Sequence, residues 1–226
     1  TSDARLVFDT LRSAHRYDAA LLNRARLGDV QHDTNSWRCE IDDLVGQQKF
    51  TARARWIINA GGPWADRFQH SKLHLRLTKG VHLVIDAERL RVPDAVVLTE
   101  GRRILFVIPW GDRTIIGTTD TDHPGEPGTV MCEECDVDYL LKIVNQNFPT
   151  VKLTHGDVLS AWAGLRPLIA DKNGHPSDAS RSHQIILSDR NWIDVAGGKL
   201  TTYRLIAEQA VDRVVKHEQR SFAKCR

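Results

Sequence analysis

The sequence is poor in the residues and patterns that mark specialised protein classes. It has four cysteines in 226 residues, Cys39, Cys132, Cys135 and Cys225. That is too sparse for a disulfide scaffold, and a reducing compartment is the expectation. Methionine occurs once, as Met131, and the chain opens on Thr1, so it is expected to be a portion of a longer polypeptide. No window approaches the ~18 consecutive apolar residues of a membrane span. The opening Thr-Ser-Asp-Ala-Arg has no charged-then-apolar secretion pattern. An excess of one charge is missing too: 31 basic against 29 acidic side chains leave a net charge of +2. Nucleic acid therefore meets no basic field, and no run of like charge forms a tail. Repeats, low-complexity segments and the G-x-G-x-x-G dinucleotide fingerprint are all absent from the chain.

What is present is a balance of 41% hydrophobic and 27% charged residues, ordinary for a globular protein, in a length that suits one large domain or two small ones. Apolar residues at helical spacing, Leu6, Val7, Leu11 and Ala14, predict a helix over 3–16 capped by Asp3. Strands follow over 19–30, 36–45 and 50–58, in the manner of an antiparallel meander. A glycine turn, Asn59-Ala60-Gly61-Gly62-Pro63-Trp64, then leads to a short helix over 64–70. Longer strands begin at Leu73, with Gly80 interrupting the first, and continue over 96–99, 103–109 and 113–118 around a Gly111-Asp112 hairpin. A helix over 133–147 places Val137, Leu140, Leu141 and Val144 on one face. A strand over 158–165 ends at Arg166-Pro167, an exposed loop covers 171–182, and short strands occupy 184–188 and 192–195. The last helix, over 201–217, is expected to bury Leu205, Ala210 and Val214. The fold class is α+β (α/β), rich in strands.

Two glycine turns, at Gly61-Gly62 and Gly197-Gly198, each follow an apolar strand and open a helix. Such turns let backbone approach a ligand and offer free N–H groups to anionic atoms, although a plain tight turn has the same sequence. Arg166 at a strand end, Arg181 in a polar loop and Lys199 inside a glycine turn are cations that would suit a phosphate or carboxylate if they converged. Each alone reads first as a solvated surface cation. Cys132-Glu133-Glu134-Cys135 has C-x-x-C spacing but no second ligand pair for zinc, and its two glutamates oppose thiolate formation. His70 and His74 straddle a helix end and share no face, so no metal site is expected.

Seven runs carry a resemblance. In order they are Asp3-Ala4-Arg5-Leu6-Val7, Asn59-Ala60-Gly61-Gly62-Pro63-Trp64, Arg76-Leu77-Thr78-Lys79-Gly80-Val81-His82 and Phe106-Val107-Ile108-Pro109-Trp110. Ile115-Ile116-Gly117-Thr118-Thr119-Asp120, Gly164-Leu165-Arg166-Pro167-Leu168 and Gly197-Gly198-Lys199-Leu200-Thr201-Thr202-Tyr203-Arg204 complete the set. Together they resemble the FAD-dependent, aerobic and quinone-linked glycerol-3-phosphate dehydrogenases over nearly the whole chain. The resemblance implies a large, mostly antiparallel substrate domain over 65–187. Partial FAD-domain segments, of the glutathione-reductase/amino-acid-oxidase-like type, flank it over 17–64 and 188–226, after the helix of 1–16. It implies FAD as the cofactor of the full-length protein, glycerol 3-phosphate as substrate and a quinone as electron acceptor.

By motif, His82 is the implied catalytic base, and Thr119, Arg166, Arg181 and Lys199 the implied substrate contacts. Asn59, Ala60, Gly61, Gly62, Trp64, Gly198, Leu200 and Thr201 would face the flavin. Arg181 departs from the family pattern, standing in Ser180-Arg181-Ser182-His183 where Thr-Arg-Asp-Tyr is usual. The implied location is the cytoplasm, peripheral at the cytoplasmic face of the inner membrane, with oligomeric state open. The isolated chain is expected to bind FAD poorly and to be inactive. A related FAD-dependent amine or amino-acid oxidase, and a non-catalytic phosphate-binding module, are the competing readings.

Overall fold

The computed structural model describes residues 2–101, 103–170, 182–188 and 190–219. In chain order the elements begin with α1 (Asp3–Arg16), β1 (Ala25–His32), β2 (Trp37–Asp43), β3 (Gln48–Ala54) and β4 (Ile57–Asn59). A 3-10 turn (Gly62–Arg67) leads to β5 (Leu75–Asp86), β6 (Val96–Glu100), β7 (Arg103–Trp110), β8 (Arg113–Gly117) and β9 (Thr121–Asp122). Then come α2 (Glu134–Asn147), β10 (Val158–Ile169), β11 (Gln184–Ser188), β12 (Trp192–Ala196), a 3-10 turn (Leu200–Thr202) and α3 (Tyr203–His217). The chain forms two compact units: Thr1–Ala60 with Phe68–Lys72 and Ser182–Arg226, and Gly61–Arg67 with Leu73–Arg181.

In the first unit the meander β1-β2-β3 is antiparallel, and a second sheet has the order β11-β12-β4. Capping of α1 falls to Ser2, not Asp3: the Ser2 hydroxyl oxygen accepts from the Arg5 N–H at 3.5 Å. The first meander strand starts at Ala25, later than its apolar residues suggest, because Asp18 and Arg24 adopt positive φ and break the extended chain. The predicted strand over 50–58 is two strands in two sheets. Its alternating part ends at Ala54, and its continuous apolar part becomes β4, parallel to β12. That change of pattern marks the passage from the antiparallel meander to a mixed sheet, in which Asn59 is buried and Ile58 stays 43% exposed. Trp37 and Trp192, at 1% and 0% exposure, centre the core. On α3 the inward stripe is Ile206, Ala210 and Val214, so Leu205, expected to be buried, sits exposed about one residue's rotation away.

The second unit is built on an antiparallel sheet of order β10-β5-β8-β7-β6, with β9 also pairing to β5. On β5 the odd positions Val81, Leu83 and Ile85 pack with Val107 and Ile116 against Leu140, Ile143 and Val144 of α2. The even positions Gly80, His82 and Val84 belong to the opposite face by strand alternation. Gly80 does not interrupt this strand; β5 runs through it over 12 residues. Nor does β10 stop at Arg166-Pro167; it continues to Ile169. Pro167 is tolerated because β10 lies at the edge of the sheet, where a missing N–H leaves no neighbour unpaired. Glu133 caps α2, and the Asp136 carboxylate returns to accept from the Glu133 N–H at 3.0 Å.

Candidate functional site

The face of the large sheet opposite α2 holds the candidate residues His82 and Arg166. One cross-strand row runs Trp162, His82, Gly117, Phe106 and Val97, from β10 through β5, β8 and β7 to β6. Directly opposed residues in an antiparallel pair share a face, so this row is a single strip. Trp162 at 44%, Phe106 at 40% and Val97 at 55% exposure show that the strip is uncovered in this unit. The His82 imidazole lies nearly parallel to the Trp162 indole, centroids 5.0 Å apart and planes 12° off. It leans over Gly117, where a Cβ would meet His82 Cγ at 2.8 Å and Nε2 at 3.0 Å.

A second row supplies a cation. Gly164 and Gly80 are opposed, and Arg166 stands two residues further along β10. With no side chain at Gly80, the guanidinium folds into that space; a Cβ there would meet Arg166 Cζ at 2.8 Å and Thr118 Oγ1 at 2.7 Å. Arg166 donates to Thr118 Oγ1 at 2.9 Å, to the Thr119 carbonyl at 3.2 Å and to Asp120 Oδ1 at 3.3 Å. Its side chain keeps 33% exposure, so it is both positioned and reachable. Thr119 is 2% exposed. Its hydroxyl accepts from the Val81 N–H at 2.9 Å and lies 3.4 Å from the Lys79 carbonyl, so it clamps β5 from beneath Arg166.

Behind β5, on the α2 side, Lys79 enters an ion-paired cluster with Asp136 at 2.7 Å and with Glu133. Burial pulls the Lys79 ammonium down, but the hydrogen bonds and charges of Asp136 and Glu133 outweigh it and leave it raised. Cys132 and Cys135 flank the start of α2 as free thiols. Burial, followed by the Asp136 charge, pushes the Cys132 thiol up, away from the reactive thiolate. Next to Cys135, Asp136 already serves the Lys79 ammonium.

In the first unit, parallel pairing sets Asn59 beside Asp194 at the ends of β4 and β12. Asp194 is 0% exposed. Its Oδ1 accepts from Asn59 Nδ2 and Trp192 Nε1, each at 2.7 Å, and its Oδ2 from the Lys72 N–H at 2.8 Å. Asn59 is thus a buried strut that fixes where the chain leaves β4, and Ala60 beyond it is exposed. After β12, Gly197 and Gly198 take φ of 72° and 81°. A Cβ on Gly198 would strike Ile206 Cδ1 at 2.8 Å, so glycine is needed for α3 to dock. Lys199, Leu200 and Thr201 follow, all exposed, at the start of the helical run. In the second unit Gly62 has φ 57° with open space where a Cβ would point, and Trp64 is 48% exposed. Arg181 lies outside the described residues.

Each turn, within its own unit, has a feature that a cofactor ring requires. Bare glycine backbone at Gly62 allows close approach, and the opening N–H groups of a helix lack intrahelical carbonyls. The sequence singles out His82, Arg166 and both turns as candidates; the structure sets Trp162, Gly80 and Gly117 beside the first two and Lys79 behind them on β5. An isolated glycine within a strand pattern was the available signal for Gly80.

Comparison with known proteins bears on the family and the fold. Residues 1–209 match the family model described as FAD dependent oxidoreductase (DAO). An aerobic glycerol-3-phosphate dehydrogenase of Staphylococcus epidermidis is 35% identical over 98% of this chain and 42% of its own length. The crystal structure of a glycerol-3-phosphate dehydrogenase from Bacillus halodurans, complexed with FAD, superposes with a TM-score of 0.87. That match has 36% identity and covers 100% of this chain and 45% of that one. A glycine oxidase from Geobacillus kaustophilus shares the fold at TM-score 0.61 and 17% identity, over 94% of this chain and 53% of that one. The chain therefore spans less than half the length of the dehydrogenases it matches. Its match over nearly its whole length places it in the FAD dependent oxidoreductase family.

Proposed function

We propose that this chain is the substrate-domain portion, with flanking flavin-domain segments, of an FAD-dependent sn-glycerol-3-phosphate dehydrogenase. The parent protein would oxidise glycerol 3-phosphate to dihydroxyacetone phosphate. The observation that carries this reading is the coincidence of a fold match at 36% identity with His82 and Arg166 on one uncovered sheet face. Residues 65–187 make up the substrate domain, and 17–64 and 188–226 belong to the flavin domain.

The chemistry needs a proton removed from the C2 hydroxyl and a hydride from C2. FAD, when bound, supplies the hydride acceptor. His82 accepts the hydroxyl proton, a task suited to an imidazole near neutral pH. Arg166, held by Thr118, the Thr119 carbonyl and Asp120, takes the phosphate, aided by Lys199 and Arg181. Thr119 serves by holding the β5 backbone, since its hydroxyl is already engaged there. Binding the remote phosphate fixes the reacting carbon and converts binding energy into rate. Asn59, Ala60, Gly61, Gly62, Trp64, Gly198, Leu200 and Thr201 form the turns that would hold the flavin.

Electrons pass onward to a quinone, from a peripheral seat on the cytoplasmic face of the inner membrane. Among the described residues no helix is long and apolar enough to cross a membrane.

The test is steady-state kinetics on the full-length, FAD-loaded protein with a quinone analogue. Dihydroxyacetone phosphate should form from glycerol 3-phosphate, and glycine should not be consumed; turnover of glycine alone would move the protein to the amino-acid oxidases. His82→Ala should lower kcat far more than it raises KM, and an unchanged kcat would remove His82 from the chemistry. The isolated 226-residue chain should purify colourless and without turnover. Flavin bound to it after purification contradicts that.

A further inference from the structure

We propose that Trp162 is a positioning residue for His82, holding the imidazole in the orientation from which it takes the substrate proton. The proposal rests on the reading of His82 as the base. Trp162 and His82 are directly opposed across the β10–β5 ladder, so stacking follows from register and requires no reach by either side chain. Near-parallel planes at 12° and a 5.0 Å centroid distance make this a face contact, one that restricts ring rotation more than an edge contact does. Gly117, directly opposed to His82 from the other neighbouring strand, completes the device. Its missing side chain is the space the imidazole occupies, since a Cβ there would lie 2.8 Å from Cγ and 3.0 Å from Nε2. Indole on one side and glycine backbone on the other leave the ring a single resting place.

Stability alone gives a weak account of the tryptophan. Trp162 lies on an edge strand, on the face away from the α2 core, and stays 44% exposed. A half-buried indole contributes less to folding than a fully buried one. What it contacts is the imidazole. That contact gains strength when the ring becomes cationic, because the indole face attracts positive charge. Among the described residues, Arg166 on β10 and Asp120 after β8 are charged groups near the row, paired with each other at 3.3 Å. Asp86 on β5 and Arg113 on β8 pair further along the strands. The indole is therefore the uncharged partner that favours the protonated product of the transfer without competing for the phosphate.

The experiment compares Trp162→Leu and Trp162→Phe in the full-length, FAD-loaded protein. Kinetics with glycerol 3-phosphate are measured beside the ring resonances of histidine-labelled protein and the melting temperature. Loss of the stack in Trp162→Leu should lower kcat by roughly 10- to 100-fold, the scale of a misplaced catalytic group. KM and melting temperature should stay close to wild type. The His82 ring resonances should move as the indole ring current disappears. Trp162→Phe, which keeps a stacking face, should recover most of the rate and retain a ring-current shift. Wild-type kcat in Trp162→Leu, while His82→Ala remains inactive, overturns the proposal and leaves the functional reading standing. Wild-type kcat in Trp162→Leu and in His82→Ala alike removes His82 from the chemistry and overturns this proposal with it. A fall in kcat matched by an equal fall in melting temperature, with unmoved His82 resonances, also overturns it, as Trp162 would then be structural.

Discussion

Replacing Lys79 with methionine probes the support beneath the site. The Lys79 side chain is 8% exposed, and its ammonium sits between Glu133, at 59%, and Asp136, at 4%. Methionine keeps the length and apolar stem but removes the charge, so Asp136 is left buried without its cation and held by the Glu133 N–H. Breaking a buried pair from one side costs about 3–5 kcal/mol. At about 2–4 °C per kcal/mol the melting temperature should fall by roughly 6–20 °C. The double variant Lys79→Met/Asp136→Leu removes both charges and should recover most of the loss, since an apolar pair of similar volume is about as stable as a buried ion pair.

The wild-type pair has a pH signature as well. Lys79 is raised in the folded protein, so its contribution is complete below the ordinary lysine value and is lost as pH rises through the folded value. Alkaline unfolding should therefore begin earlier in the wild type than in the double variant, measured against each protein's own neutral stability. Calorimetry of the full-length protein reads these quantities. A single variant within about 1 kcal/mol of wild type at neutral pH, or a double variant no better than the single, would refute the reasoning.

Gly80→Ala puts a Cβ into the space of the Arg166 guanidinium. It should raise KM for glycerol 3-phosphate by about 10-fold or more, with a smaller effect on kcat, the scale of one charge-assisted contact; an unchanged KM would detach Arg166 from the phosphate. Asp194→Ala strands three donors, from Asn59, Trp192 and Lys72. It should cost about 3 kcal/mol or more, read as a drop in melting temperature, and a wild-type value would show the network is dispensable. Asp157 is held down to about 2 by the Arg89 hydrogen bond first and by the Thr154 N–H next. Its contribution is present above the ordinary aspartate value and disappears as pH falls towards 2, so Asp157→Asn should flatten acid unfolding in that window. An unaltered acid limb would count against the pairing.

Periodicity made the elements legible, and polar exceptions to it hid the site. The helix over α2 and the hairpin around Gly111 follow from apolar spacing and a turn glycine with φ 64°. The alternating-to-continuous change near Trp56 marked the passage from one sheet to another, yet a single strand fits the same residues until pairing partners are known. Gly80 read as a break because glycine weakens strands in isolation; only the position of Arg166 shows that the vacancy is used. Pro167 read as a strand end for a similar reason, and only edge placement permits it. Lys79, buried among α2 acids, could not be told from a surface lysine, since its partners lie more than fifty residues away in sequence.

Alternation along β5 ties these observations together. Lys79, Val81, Leu83 and Ile85 serve the α2 side, while Gly80, His82 and Val84 serve the open face, so one strand specifies both fold and site. A slip by one residue would exchange the two sets, pressing His82 into the apolar core and turning the Lys79 ammonium onto the site face. Apolar burial resists such a slip, because Gly80, His82 and Val84 would have to replace Val81, Leu83 and Ile85 in the core. The ionic cluster resists it strongly: a displaced Lys79 would leave Asp136 buried without its cation. The buried pair therefore contributes to function through register. It holds β5 where His82 faces Trp162 and where Gly80 lies open beneath Arg166.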